Sequence, residues 1–330
     1  MKHAVLGIIL AVLAFLQLAV PPAAQAARAD GLTGVLVFQE HNGGMIYLYD
    51  LESKTLKALT TGYDPALSPD GSTVAFIRYG GEQGLYLIGA DGTDERRIYG
   101  GSRDLRAPGW SPDGQYIAFS RVTGEEYCRQ MGPRCVPDRP GLEGFPLVIL
   151  DKRGLSRVNT DGGGFQDIPT METATASDWN AAGIVYAAAE GIQITAEQPN
   201  STTRSLLDAR NYSAQDPDWQ PGGGRILFQR KEGTHWEIFS VNPDGSGLTA
   251  LTRPVSVLVK TLPQNVSAAW SPDGRHIVYL SNRDASNSAG AWHLWVMNAD
   301  GSSQHQLDPE VLGQIEFGYD TSVDQMVAWS

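Results

Sequence analysis

Residues 268 to 282 alternate in a way that predicts two short strands joined by a turn. Ala268-Ala269-Trp270 is a brief apolar run, Pro272-Asp273-Gly274 carries turn chemistry, and Ile277 to Leu280 restores an apolar strand. An Asp-Gly pair between apolar runs is the strongest short-range hairpin signal, because a tight two-residue turn requires positive φ. The pattern recurs at Ala66 to Arg78 and at Pro108 to Arg121, which makes it a repeat and not an isolated hairpin. Two degenerate copies keep the flanks and lose the turn. Asp178-Trp179 leads into Ile184 to Ala187, and Asp218-Trp219 leads through three glycines into Arg225 to Gln229.

Each unit has an equally regular second half: a third strand, often another Asp-Gly turn, and a fourth strand. Asp91-Gly92, Asp161-Gly162, Asp244-Gly245 and Asp300-Gly301 hold equivalent places, and no stretch has the period of a long amphipathic helix. The unit is therefore four short antiparallel strands in roughly 40 residues, which stack radially as a β-propeller. The expected fold is all-β, with six four-stranded blades and seven as the alternative. Gly34 to Gln39 resembles a second strand without its first, and Phe317-Gly318-Tyr319-Asp320 resembles a first strand without its unit. Pairing of these N- and C-terminal segments would close the ring, with Met326 to Trp329 left over.

The first 26 residues read as a signal peptide and not as part of the fold. Lys2 precedes an apolar stretch from Ala4 to Val20, and Ala24-Gln25-Ala26 has the small-x-small form of a cleavage site, giving cleavage near Ala26 and a periplasmic or secreted chain. A retained membrane anchor is the alternative. Residues 27–330 form a single propeller domain on this reading. Loss of Lys2 takes the formal charge from −12 to −13, a surface that repels nucleic acid and anionic membranes. No stable membrane insertion is expected after cleavage, and a monomer is expected.

One segment, about 122–152, breaks the repeat and holds both cysteines, Cys128 and Cys135. In an exported chain a disulfide is the expected state, contributing roughly 2 to 3 kcal/mol in the chain-entropy model. Two cysteines without a further ligand pair do not make a zinc tetrahedron.

The pattern Trp-Ser-Pro-Asp-Gly, then an Ile-x-Phe or Ile-x-Tyr strand, then a strand ending in Asn-x-Asp-Gly resembles the WD-like propeller repeats of the TolB family. The resemblance covers about Leu32 to Trp329 and implies the propeller fold of a periplasmic protein. TolB carries a separate α/β domain before its propeller, so the chain looks like a free-standing TolB-like propeller. The same repeats precede catalytic domains in prolyl-oligopeptidase-type peptidases, but no GxSxG nucleophile elbow is present.

Candidate chemistry is sparse. Trp110, Trp179, Trp219 and Trp270, with Tyr319 as a further member, end the first strands and read as packing between blades. Asp64, Asp178, Asp216, Asp218 and Asp320 lie on the same strands and would line the axial channel. The favoured reading is that they accept hydrogen bonds from turn amides and face water; the alternative is that converging carboxylates hold a hard cation such as calcium. His235 and His293 fall out of register between units, so neither is expected to be a metal ligand, and no catalytic set and no cofactor are expected. Asn200, Asn211 and Asn265 sit in glycosylation sequons. The leading expectation is a non-enzymatic binding or scaffold protein for a protein or glycan partner at the cell envelope. The alternative is a propeller hydrolase or lyase with a divalent cation in the channel.

Overall fold

The computed structural model describes residues 31–208, 213–320 and 325–330. The predicted leader up to Ala26, the sequon at Asn211 and the segment Ser322 to Asp324 lie outside the described residues. A compact unit spans Thr33–Ser330 and consists of six antiparallel sheets, as the repeat count predicts.

The innermost strands of blades 2 to 6 are Tyr63–Leu67, Arg106–Trp110, Thr175–Asn180, Ala214–Trp219 and Asn265–Trp270. Blade 1 takes its innermost strand, Val327–Trp329, from the C-terminus and its other three from the N-terminal side: Val35–Gln39, Met45–Asp50 and Thr55–Thr61. Each innermost strand touches the next, and Val327–Trp329 touches both Asn265–Trp270 and Tyr63–Leu67, so the circle is closed.

Stacking buries both faces of each blade, which explains why second strands are continuous apolar runs. In Thr73–Arg78, Val74 and Phe76 pack toward blade 1 with Val37, Ile46 and Leu48. The alternate pair, Ala75 and Ile77, packs toward blade 3 with Trp110, Ile117 and Phe119. Strand period two thus sends successive side chains to opposite neighbours.

Two expectations need correction. The Ser-Pro-Asp-Gly turns are not two-residue turns, because only the glycine adopts left-handed φ, at 70° for Gly71, 68° for Gly114 and 65° for Gly274. The Gly71 amide donates to Ser68 O, while the Asp70 carboxylate accepts from the Ser68 hydroxyl and the Ser72 amide, which holds its pKa down to about 2. The second correction concerns closure: Val327–Trp329 is the closing strand, and Phe317 to Asp320 is not. Phe317 instead packs against Phe38, with ring centroids 5.5 Å apart, and the Tyr319 hydroxyl accepts from Gln229 Nε2 at 2.8 Å.

The 122–152 segment is a β-ribbon and not an irregular loop. Tyr116–Met131 and Leu147–Asn159 run past the blade as one antiparallel pair, and Arg134–Pro137 folds back along the outer end. Cys128 and Cys135 are bonded there, their Cα atoms 5.5 Å apart. At the root, buried Arg153 donates to Asp104 Oδ2 at 2.5 Å, Asp104 O at 2.6 Å and Ser120 Oγ at 3.2 Å. These bonds fix the angle at which the arm leaves the ring.

Candidate functional site

The innermost strands share a local form. Asp64, Ala107, Asp216 and Ser267, each three residues before the strand-ending Leu or Trp, take left-handed φ of 52°, 45°, 54° and 46°. The ladder shifts register at each of these places, as a β-bulge does. The bulge turns a backbone amide sideways, toward the preceding blade. The Asp64 amide donates to Gln39 Oε1, the Ala107 amide to Asp64 Oδ2, the Ser267 amide to Gln229 Oε1 and the Met326 amide to Ser267 Oγ, at 2.8 to 2.9 Å. Three positions further on, the Trp219 amide donates to Asp178 Oδ2 at 2.7 Å and the Trp270 amide to Asp218 Oδ2 at 2.8 Å. The acceptor always sits one blade before the donor, so these side chains stitch the circle together.

The five predicted carboxylates therefore separate. Asp64 is buried and accepts from a strand amide of the next blade, where the sequence suggested a turn amide and water. Asp178 and Asp218 do reach the axis. They lie in an open mouth of about 390 Å³, walled by Trp110, Trp179, Trp219, Trp270 and Trp329. Asp216 lines a narrow space of about 10 Å³ with the same two carboxylates. Asp320 is not in a channel strand; it is exposed beyond the short helix Pro309–Leu312 and accepts from Asn42 Nδ2 at 3.0 Å. Tyr319 likewise leaves the packing set, and Trp329 takes its place.

Enclosure by the ring pushes the Asp178 carboxyl above its ordinary range. The same desolvation, with the charges of Asp178 and Asp216 added, pushes Asp218 higher. Among the described residues, no three His, Cys, Asp or Glu side chains are arranged to hold a metal ion. The mouth holds two desolvated carboxyls, Asp178 and Asp218, inside an aromatic collar.

A pH prediction follows from the direction of these shifts. When an acid's folded pKa is raised, the unfolded chain ionises first as pH rises, so stability falls from about pH 4 up to the folded value. Asp218→Asn keeps an acceptor for the Trp270 amide and removes the charge. It should stabilise the protein by on the order of 1 to 3 kcal/mol at pH 7.5 and have little effect at pH 4. Asp218→Ala leaves the amide unpaired and should cost about 1 to 3 kcal/mol at pH 4. Thermal melts of both variants at the two pH values check this, and an Asn variant that melts lower at pH 7.5 would contradict it.

Among the described residues the histidines form no metal set, but one belongs to a buried cluster that sequence reasoning missed. Glu237 is buried and accepts from Thr252 Oγ1 at 2.5 Å and Asn265 Nδ2 at 2.8 Å, with His235 Nε2 3.3 Å from its other oxygen. Burial raises its pKa to about 6 and lowers that of His235. Asn265 is thus a core side chain and not an accessible glycosylation site, while Asn200 is exposed.

The arm presents the most concentrated apolar surface on a regular element. The pairings Leu147↔Arg129 and Ile149↔Tyr127 put Leu147, Ile149 and Tyr127 on one face, joined by Met131, and all four are exposed. Glu125, Arg129 and Asp151 border them, and Arg103 bridges Glu125 and Asp151 at 2.8 and 2.6 Å. The Pro- and Gly-rich stretch between Tyr127 and the apolar run Leu147 to Leu150 hid this strand pair at the sequence level.

No protein-family model matches the chain, and no curated protein matches it. Solved structures do. TolB from Acinetobacter baumannii is similar at a TM-score of 0.63 and 14% identity over 90% of this chain, which spans 66% of the length of that one. A chain of a nidogen/laminin complex is similar at 0.58 and 11% identity, covering 90% of this chain and 97% of that one. An oligogalacturonate lyase from Vibrio parahaemolyticus is similar at 0.51 and 13% identity, over 83% and 78%. At such identities the shared property is the fold, a TolB-like β-propeller.

Proposed function

We propose that this chain is an exported, non-enzymatic binding protein whose ring holds the disulfide-stapled arm of blade 3 against a protein partner at the cell envelope. The observation that carries the reading is the arm's exposed apolar cluster, Tyr127, Met131, Leu147 and Ile149, on a ribbon whose root is tied by buried Arg153. Exposed apolar patches rimmed by charge on a rigid scaffold are a usual form of protein-recognition surface. The neighbour solved as a nidogen/laminin complex is a propeller in a protein assembly, which supports a protein partner in general terms. The Cys128–Cys135 bond is compatible with an oxidising compartment.

The lyase alternative has a fold likeness in its favour. Asp178 and Asp218 each commit one oxygen to the ring, and among the described residues no third side chain is arranged with them to hold a metal ion. Replacing Thr123 to Lys152 with an Asn-Gly turn tests the proposal, since Arg153 and the blade remain. The variant should melt within a few degrees of the parent and lose capture of the envelope partner that the parent retains. Undiminished capture by the armless ring overturns the assignment.

A further inference from the structure

A second surface stands apart from the arm and needs none of the reading above. The loop joining blades 5 and 6 carries three highly exposed aliphatic side chains: Val255 at 65%, Val257 at 76% and Leu258 at 92%. Arg253 and Lys260, both exposed, bracket them. From Gly245 to Pro272 there is no Asp or Glu, in a chain that has 37 of them in 330 residues. The loop thus carries two cations and three exposed aliphatic side chains and no acid of its own, on an acidic protein.

Its feet are fixed while its crest stands out. Thr252 at one foot is tied to Glu237, and at the other the Gln264 amide donates to Asn282 Oδ1 at 2.7 Å. The Ala289 amide and the Ser288 hydroxyl donate to Thr261 O at 3.0 and 3.1 Å. Within the crest, the Leu258 amide donates to Ser256 Oγ at 3.1 Å, and the three aliphatic groups face out.

We infer that loop 253–260 is a membrane-surface contact that sets Val255, Val257 and Leu258 into the headgroup and acyl boundary of an anionic bilayer. Arg253 and Lys260 would lie at the phosphates. Aliphatic residues flanked by cations suit that boundary, where apolar insertion and attraction to anionic lipid act together. A protein-binding hot spot more often centres on Trp, Tyr or Arg in a desolvated pocket, and the crest has no aromatic residue. The distant acidic surface does not prevent contact, because at physiological salt the field of an exposed charge decays over about 8 Å.

The test is cosedimentation of the full protein with phosphatidylcholine vesicles, with and without phosphatidylglycerol, at about 0.1 M and 0.5 M salt. Binding to the anionic vesicles should fall several-fold at high salt and on neutral vesicles. Val257→Ser with Leu258→Ser should lower it at least about tenfold without changing the melt, since both side chains are exposed. Arg253→Ser with Lys260→Ser should remove most of the salt dependence. Equal sedimentation of the Ser variant, or none of the parent on any vesicle, overturns the inference. So does a concentration-dependent dimer that the same variant abolishes, which would assign the crest to self-association.

Discussion

Deletion of Met326–Ser330 is expected to abolish the cooperative thermal transition, or to lower its midpoint so far that no folded ring survives at 37 °C. The segment holds both ends of the circle. Leu36, Val37 and Phe38 pair with Trp329, Ala328 and Val327, and Val35 and Ser330 exchange amide hydrogen bonds at 2.7 and 3.0 Å. Met326, Val327 and Trp329 are buried, the Met326 amide reaches Ser267 of blade 6, and Ser330 Oγ donates to Ser68 O of blade 2. Removing one buried Trp costs about 3 to 5 kcal/mol and each further large aliphatic about 2 to 3, before the lost ladder is counted. A domain is stable by only about 5 to 15 kcal/mol in total. Circular dichroism melts and gel filtration of the truncated chain are the measurements; a compact product with an unshifted melt would show that closure lies elsewhere.

Trp270→Ala should lower stability by about 3 to 5 kcal/mol, the cost of deleting a large side chain from a site that collapses little. Trp270 is buried among Leu227, Ile238, Ile277 and Tyr279, at the packed surface between blades 5 and 6. Its indole N–H has no partner, so Trp270→Phe should cost far less than the alanine change. Trp110 differs, because its Nε1 donates to Ala66 O at 3.1 Å, and Trp110→Phe should cost roughly 1 kcal/mol more than the equivalent change at Trp270. Trp179, half-exposed at the mouth and stacked on Tyr116 with centroids 6.4 Å apart, should tolerate alanine best. Denaturant melts of the four variants establish the order.

The blade count was readable from the chain because a period near 40 residues is imposed by geometry: each sheet must present the same two faces to its neighbours. Choosing the closing strand was harder. Gly318-Tyr319 imitates the small-then-aromatic pair of Gly109-Trp110 and Ala269-Trp270, yet Ala328-Trp329 fits the ladder. Periodicity identifies strands and says little about which of two similar segments has a partner edge in reach. The stitches were illegible for another reason. Asp178 and Trp219 are 41 positions apart, and their bond depends on one blade standing beside the next. Asp at a strand end therefore looked like a channel ligand or a turn cap, when its position between blades decides its work. Glu237 gave no signal at all: a Glu in an apolar strand stands out only once Thr252 and Asn265 are seen around it.

The ring is read here as a frame and the arm as the part that recognises a partner, so the decisive comparison pits arm against mouth in two folded variants. One carries Tyr127→Ser with Ile149→Ser, the other Asp178→Asn with Asp218→Asn, and both are assayed for saturable capture of the same envelope partner. Loss in the first and retention in the second is the predicted result. Retention in the first and loss in the second would move the working surface to the axis.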